Sequence, residues 1–407
     1  MAKLEVLEPS AKRAKHSVGI AIIGCGQIMT HHISAMAASS IGFEVQCLVD
    51  PSKERRKVIR DLACTKGIAS DSLAEVNTLE ELLADTTINP TCPNVLIAVP
   101  HDLHQSITLA ALKGGKTVIL EKPLAPTLEA CKVLHHASAA ELARGGPMLI
   151  VAEQSPYWQE VVKARELIAS GVIGQIVSAS AYYYESMRDN MTSGGLDSDG
   201  GLGWRGVNAR AGGGIVIDGG LHWLRPLREM VGDIEAVVGV VRPNLAPELK
   251  MEGEALAHAL LRICKTTTPP LAQPEGSGPL IATYSANMLA KAPMAHDACP
   301  YFRVTGTLGE LVVAGDGLNP DGGGGLRLYT EEFAKGKDLF PKDRQGGFFL
   351  GFRDLWVEIA RILTENDRAA AHKTVRNAGA DVGVVMSLYA SSKTMQWEPC
   401  DLFTDEA

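Results

Sequence analysis

Short apolar runs alternate with longer stretches of mixed polarity through the first third of the chain, and each run suggests an element. Val18-Gly19-Ile20-Ala21-Ile22-Ile23 has the length and composition of a buried parallel strand. His31 to Ala38 is fit for a helix, and a second apolar run, Val45-Gln46-Cys47-Leu48-Val49, ends in Asp50. A polar helix is expected from about Ser52 to Lys66. Another begins at Thr78, which can cap it, with Glu81 three residues on completing a capping box. The buried strand from Val95 is closed by Pro100, His104 to Lys113 reads as helix, and Thr117 to Leu120 reads as strand. Thr127 to Arg144 predicts one more helix before the strand Met148 to Ala152. Alternation of this kind predicts an open parallel sheet with helices on both faces.

From about residue 175 the pattern changes. Gln175 to Tyr184, Ala236 to Arg242, Ala255 to Ile263, Leu280 to Met288, Tyr301 to Thr305 and Leu311 to Ala314 follow one another with few helices between. Such a series predicts a largely antiparallel sheet. Thr266 to Gly278 and Gly315 to Gly325, rich in Pro, Gly and Thr, read as surface loops. A chain of 407 residues is too long for one ordinary core. The expected division is a polar, disordered tail over residues 1–17, a dinucleotide-binding domain over 18–150, and an α+β domain for substrate binding and oligomerisation over 151–407. A cleft between the domains is where a second substrate would meet a bound dinucleotide.

Composition narrows the choice of partners. A formal net charge of −8 argues against nucleic acid, which needs a basic face. No stretch reaches the length of a membrane span, and the polar start lacks the apolar core of a signal peptide, so a cytoplasmic protein is expected. The eight cysteines show no C-x-x-C pair and read as reduced, mostly buried thiols, Cys25 as a packing residue among them. His31 beside His32, and His135 beside His136, lack a third ligand at convincing spacing, so no metal is predicted.

The turn Gly24-Cys25-Gly26-Gln27-Ile28-Met29 gains its meaning from its flanks: strand before, helix after, then a strand ending in an acid. That is the order of a mononucleotide-binding unit. The glycines allow a tight turn and close approach to a pyrophosphate, and the helix N-terminus offers N–H groups and a positive dipole end. Asp50 can accept hydrogen bonds from a ribose diol and would repel a 2′-phosphate, which favours NAD. Ser52, Lys53 and Arg55 follow closely enough to leave NADP open. Met29 stands where the fingerprint has a third glycine or alanine, and its bulk is expected to hinder close packing of helix on strand.

Two further constellations could carry chemistry. Lys122 ends a strand on the ligand-binding side of such a sheet, with Glu121 beside it and Pro123 restricting its backbone to an extended form. Such a lysine can stabilise a substrate oxygen as it deprotonates; a solvated lysine in a turn would look the same. Gly212-Gly213-Gly214 leads to Asp218 and His222, four residues apart and so on one face of a helix. The carboxylate could orient the imidazole as a general base towards an alcohol, although a structural histidine fits that spacing too. Trp204 and Arg205 are candidates for substrate contact, the indole against a sugar ring and the guanidinium on hydroxyls or a carboxylate; packing at a domain seam is the other reading. Among Tyr182, Tyr183 and Tyr184, alternate rings should face opposite sides.

Together these residues resemble the Gfo/Idh/MocA family of glucose–fructose oxidoreductase and inositol dehydrogenase, over about residues 18 to 398. The matching elements are the turn Gly24 to Met29 with His32 after it, Val99-Pro100-His101-Asp102-Leu103-His104, and Glu121-Lys122-Pro123. Glu166 to Gly174, Trp204-Arg205, Gly212 to Gly214 with Asp218 and His222, and Trp397 also align. His101 stands where an asparagine is common, and Arg225 where an acid is frequent. The resemblance implies an α/β chain with an N-terminal Rossmann doubly wound parallel sheet and a C-terminal domain built on a large, mostly antiparallel, open-faced sheet. It implies Lys122 and His222 as the catalytic pair, and Asp218 as a substrate-binding and orienting residue. The dinucleotide would lie over Gly24, Gly26, Gln27, Ile28 and Asp50, with Pro100, His104, Glu121 and Lys122 near its nicotinamide half. The Lys122–Pro123 peptide would be cis, as in several relatives. The implied activity is reversible, NAD(P)-dependent oxidation of a secondary alcohol on a sugar, cyclitol or related polyhydroxylated substrate by a homodimer or homotetramer. Two alternatives remain on the sequence: a redox-neutral glycosidase that uses bound NAD, and a non-catalytic dinucleotide-binding sensor.

Overall fold

The computed structural model describes residues 18–39, 42–184, 202–245, 250–264, 278–288, 301–314, 325–340 and 347–404. The expected tail, residues 1–17, and nearly all of the two expected surface loops, 266–278 and 315–325, lie outside the described residues. The first sheet follows the predicted alternation: β1 (Val18–Ile23), α1 (Met29–Ala38), β2 (Phe43–Val49), α2 (Lys53–Thr65), β3 (Ala69–Val76) and α3 (Leu79–Ala84). It continues with β4 (Asn94–Ile97), α4 (His104–Lys113), β5 (Thr117–Glu121), α5 (Leu128–Arg144) and β6 (Leu149–Ala152). All its strand pairs are parallel, in the order β3-β2-β1-β4-β5-β6. The order reverses between β1 and β4, so a crevice opens there at the carboxyl ends of the strands.

β3 was not expected. Its sequence, Ala-Ser-Asp-Ser-Leu-Ala-Glu-Val, belongs to an edge strand with one neighbour, where polar residues meet solvent and the apolar run that marks a buried strand is missing. The cap on α3 also differs in detail. Thr78 Oγ1 accepts from the Glu81 amide at 3.3 Å, but the Glu81 carboxylate reaches the amide of Asn77, 2.7 Å away, one residue before the cap.

The second sheet comprises β7 (Ile176–Tyr184), β8 (Ile234–Pro243), β9 (Glu254–Ile263), β10 (Ile281–Asn287), β11 (Phe302–Gly306), β12 (Gly309–Val313), β13 (Leu326–Thr330), β14 (Lys337–Asp338) and β15 (Glu398–Pro399). Their order is β14-β13-β12-β11-β7-β10-β9-β8-β15, antiparallel except for the pair β7 and β10. α6 (Gln159–Ala169) and α7 (Leu221–Val231) contribute to the core on one face of this sheet. The period of two along β7 places Tyr183 in that core, stacked on Trp223 with centroids 4.1 Å apart. Tyr182 and Tyr184 lie on the other face.

The sheets divide the chain between Ala152 and Ile176, but the helices do not respect that division. α8 (Gly347–Glu365) returns to pack on α1, burying Phe352, Leu355, Trp356 and Ile359 in one core with Ile22, Ile33 and Phe43. α9 (Arg368–Thr394) lies beside α5 and β6, where Thr374 Oγ1 accepts from the Val151 amide at 2.8 Å and so occupies a donor on that edge strand. Further along, its Val384, Val385 and Leu388 enter the core of the second sheet. Arg225 serves this packing: its guanidinium meets the buried Asp381 of α9 at 2.8 Å.

Candidate active site

The glycine turn lies in the crevice, as its sequence context implies. Gly24 has φ +91°, and a Cβ there would come within 2.2 Å of the Ala98 carbonyl, so only glycine lets β1 turn against β4. Gly26 has no neighbour within 4 Å of a Cβ position, which leaves its backbone bare. Met29 does not hinder the helix. It opens α1 fully buried in the core, its flexible thioether filling space that a smaller residue would leave. Asp50 accepts from the Cys25 amide through one oxygen and from the Ser52 amide through the other, both at 2.8 Å. Its carboxylate is thereby fixed beside the turn. Burial, then the Asp50 charge, pushes the Cys25 thiol up to about 12, as suits a packing residue.

A cavity of about 1610 Å³ runs from this turn past Asp50, Pro100, His104, Glu121 and Lys122 to Trp204, Arg205, Asp218 and His222. Both sheets contribute its walls. The predicted cofactor and catalytic residues therefore line one continuous space, and the bare Gly26 and fixed Asp50 suit a pyrophosphate and a ribose diol at one end. His104 bridges the turns of this wall, with one ring nitrogen 2.8 Å from the Pro123 carbonyl and the other 3.1 Å from that of Val99. The Lys122–Pro123 peptide is cis.

The expected pairing of Asp218 with His222 does not form. Val216–Gly220 is a single π-helical turn ahead of α7, and its extra residue per turn undoes the shared face of an α-helical i, i+4 pair. Asp218 instead turns to Lys122 and Arg205. Lys122 Nζ donates to the Asp218 backbone carbonyl at 2.6 Å and to Oδ1 at 3.1 Å, and Arg205 Nε donates to Oδ2 at 3.0 Å. Burial disfavours the Asp218 carboxylate, but Lys122, Arg205 and His101 outweigh it and hold the group well below the usual carboxylate range. Arg205 lies over the Trp204 ring at 4.4 Å, so these two residues already interact with each other and with the site.

The acid that holds His222 is Glu153, just beyond β6. His222 Nδ1 donates to Glu153 Oε1 at 2.7 Å. A carboxylate only accepts, so the neutral imidazole carries its proton on Nδ1 and leaves Nε2 as the basic nitrogen. Burial pushes Glu153 up, but the charge and hydrogen bond of His222 and the hydrogen bonds of Ser155 bring it down to about 2. Glu153 was missed in the sequence, though an acid directly after a predicted parallel strand is the signal that marked Asp50.

Two more residues support the seam. His101 occupies the asparagine position as a buried interdomain contact, with Nδ1 2.9 Å from the Ala211 carbonyl and Nε2 3.9 Å from Asp218. Burial pushes this histidine well below its ordinary range. Glu254 accepts from the amides of Gly214 at 2.7 Å and Val216 at 2.9 Å, and from the Tyr389 hydroxyl at 2.9 Å. It ties the glycine-rich turn to the second sheet and to α9.

Comparisons with known proteins agree with the fold. Residues 18–144 match the family model of the oxidoreductase family's NAD-binding Rossmann fold, and residues 161–312 match the GFO/IDH/MocA C-terminal domain. An inositol 2-dehydrogenase of Pseudomonas syringae pv. syringae is 32% identical over 157 residues, 38% of this chain and 43% of that protein. A levoglucosan dehydrogenase of Pseudarthrobacter phenanthrenivorans is 31% identical over 166 residues, 41% of this chain and 40% of that protein. The chain thus spans about two fifths of the length of these curated relatives. Among solved structures, a levoglucosan dehydrogenase in complex with NADH and levoglucosan has a TM-score of 0.71 at 18% identity, covering 95% of this chain and 100% of that one. An aldose-aldose oxidoreductase from Caulobacter crescentus gives 0.69 at 20% identity, covering 94% and 100%. With both family domains matched in order along one chain, and the same architecture over nearly its whole length, the chain belongs to the Gfo/Idh/MocA oxidoreductase family and carries its NAD-binding Rossmann domain.

Proposed function

We propose that the chain is an NAD-dependent dehydrogenase that reversibly oxidises a secondary alcohol of a sugar, cyclitol or related polyhydroxylated substrate. The observation that carries this reading is that a lysine and a histidine line one cavity, each held by its own acid: Lys122 by Asp218, His222 by Glu153. His222 Nε2 takes the hydroxyl proton. The Lys122 ammonium, with two donors on Asp218, has a third to stabilise the oxygen as it becomes negative. Trp204 and Arg205 contact the polyol, and Asp218 places both the lysine and the arginine. Gly24, Gly26, Gln27, Ile28 and Asp50 hold the dinucleotide, with Pro100, His104, Glu121 and Lys122 towards its nicotinamide end. NAD supplies the hydride acceptor when bound.

The substrates named for the relatives, inositol and levoglucosan, define the class to test first. Nicotinamide absorbance is followed with NAD or NADP over a panel of cyclitols, anhydrosugars, aldoses and sugar acids. Turnover is expected, with NAD preferred over NADP by about tenfold or more, because the fixed Asp50 carboxylate repels a 2′-phosphate. Asp50→Ala narrows that ratio. Dinucleotide binding without turnover on any member overturns the dehydrogenase reading.

We infer also that copies associate through the outer face of the second sheet. Its exposed positions include Leu260, 44% exposed, with Val238 and Val240 of β8 partly exposed near it. Light scattering is expected to give a homodimer or homotetramer, and Leu260→Lys to lower the association constant at least tenfold. A wild-type monomer at micromolar concentration refutes it.

A further inference from the structure

The turn that presents Lys122 also presents Glu121, whose carboxylate is held from behind. Glu121 Oε1 lies 2.7 Å from His32 Nε2, and the other ring nitrogen of His32 lies 3.0 Å from Trp356 Nε1. His32 and Trp356 are wholly buried and Glu121 is 6% exposed. An indole nitrogen only donates. His32 Nδ1 is therefore an acceptor, the proton of the neutral ring stands on Nε2, and Nε2–H is donated to Glu121. A helix near the end of the chain, α8, thus donates to the free nitrogen of a histidine in α1, in the tautomer that the carboxylate also requires, and that histidine holds an acid at the end of β5. Phe352 of α8 meets the same imidazole edge-on at 5.1 Å and limits its rotation.

Packing alone gives no reason for this arrangement, since three apolar side chains would fill the same volume without removing a carboxylate from water. The titratable groups near the pair are His31 on the same helix, Lys122 next in sequence, His104 on α4, and Glu153, which follows the register partner of Glu121, Ala152. From α8 the pair meets the uncharged Phe352 and Trp356.

Glu121 lines the cavity at the end of β5. In a doubly wound sheet of this strand order a dinucleotide straddles the switch point. Its adenosine half extends towards β2 and its nicotinamide half towards β4 and β5. Resting on the function proposed above, we propose that Trp356 and His32 are positioning residues that hold the Glu121 carboxylate at the nicotinamide end of the cavity, where its charge favours the oxidised cofactor over the reduced one. The oxidised ring is cationic and the reduced ring neutral, so a fixed carboxylate attracts one form and is nearly indifferent to the other. The site then binds NAD more tightly, relative to NADH, than an uncharged wall would.

Calorimetric titration of NAD, NADH and ADP-ribose into the full chain tests this; ADP-ribose lacks the nicotinamide and reports on the rest of the site. Glu121→Gln is expected to weaken NAD relative to NADH by about tenfold, with ADP-ribose unchanged within about twofold. Trp356→Phe keeps an aromatic ring but removes the indole donor, so His32 Nδ1 loses its partner and the imidazole is held less firmly against Glu121. It is expected to shift the same ratio in the same direction by about threefold. An unchanged ratio in Glu121→Gln overturns the proposal, as does equal weakening of all three ligands, which would make Glu121 a structural group only. A ratio lowered by Glu121→Gln but untouched by Trp356→Phe overturns the part assigned to Trp356 and His32. Failure of the wild-type chain to bind either dinucleotide would instead remove the function on which this rests.

Discussion

The His222→Ala protein is expected to oxidise substrate about 10³-fold more slowly than wild type, with KM for the dinucleotide nearly unchanged. A positioned general base contributes about 10²–10⁴-fold, or roughly 3–5 kcal/mol of barrier, and no other imidazole replaces this one. His31, His101 and His104 also line the cavity, but His31 stacks on Phe352, His101 turns Nδ1 to the Ala211 carbonyl, and both nitrogens of His104 face backbone carbonyls. Glu153→Gln should lie between the two, at about 10–10²-fold. The amide keeps the shape but can turn its own donor towards Nδ1, and it no longer stabilises an imidazolium as the proton arrives. Steady-state kinetics decide the matter. A His222→Ala rate within tenfold of wild type would exclude this histidine as the base.

Lys122→Met carries the second large effect, a loss of about 10²–10³ in kcat. Its ammonium, held by both the backbone carbonyl and Oδ1 of Asp218, lines the cavity, and an oxyanion-stabilising donor in such a site is worth about 3–4 kcal/mol. The variant leaves the Asp218 carboxylate with Arg205 and the more distant His101, so some loss of substrate affinity is expected as well. Lys122→Arg should not restore the rate, because a planar fork cannot replace a compact ammonium on both the backbone carbonyl and Oδ1 of Asp218. Single-turnover rates with saturating dinucleotide separate the chemical step from binding. If Lys122→Met slowed turnover only by raising the substrate KM, the lysine would be a binding residue and not a stabiliser of the reacting oxygen.

The sequence was most informative where one element decides the outcome. Buried parallel strands announce themselves as apolar runs, and the glycine turn, Asp50 and Lys122 are all marked by their place at a strand's end. It was misleading where two distant elements must meet. Asp218 and His222 seem paired because four residues separate them, yet a single π turn sends one to Lys122 and the other to Glu153, whose partner is 69 positions away. No periodicity shows that Trp356 would find His32 across 324 residues. The edge strand β3 was hidden for a different reason: with solvent on one side, it needs no apolar run.

The return of α8 and α9 to the first sheet has a consequence for how the polypeptide is made. The strands of the nucleotide half are complete at Ala152, but the apolar surface of α1 that covers one of their faces is sealed by Phe352, Leu355 and Trp356. Thr374 follows later still, to occupy the amide of Val151. A ribosome adding about 5–20 residues per second needs on the order of ten seconds to most of a minute to pass from the last strand to the end of α9. Throughout that interval the nascent nucleotide half presents an open apolar flank and an unpaired strand edge, so its need for chaperone protection is set by the order of its elements along the messenger.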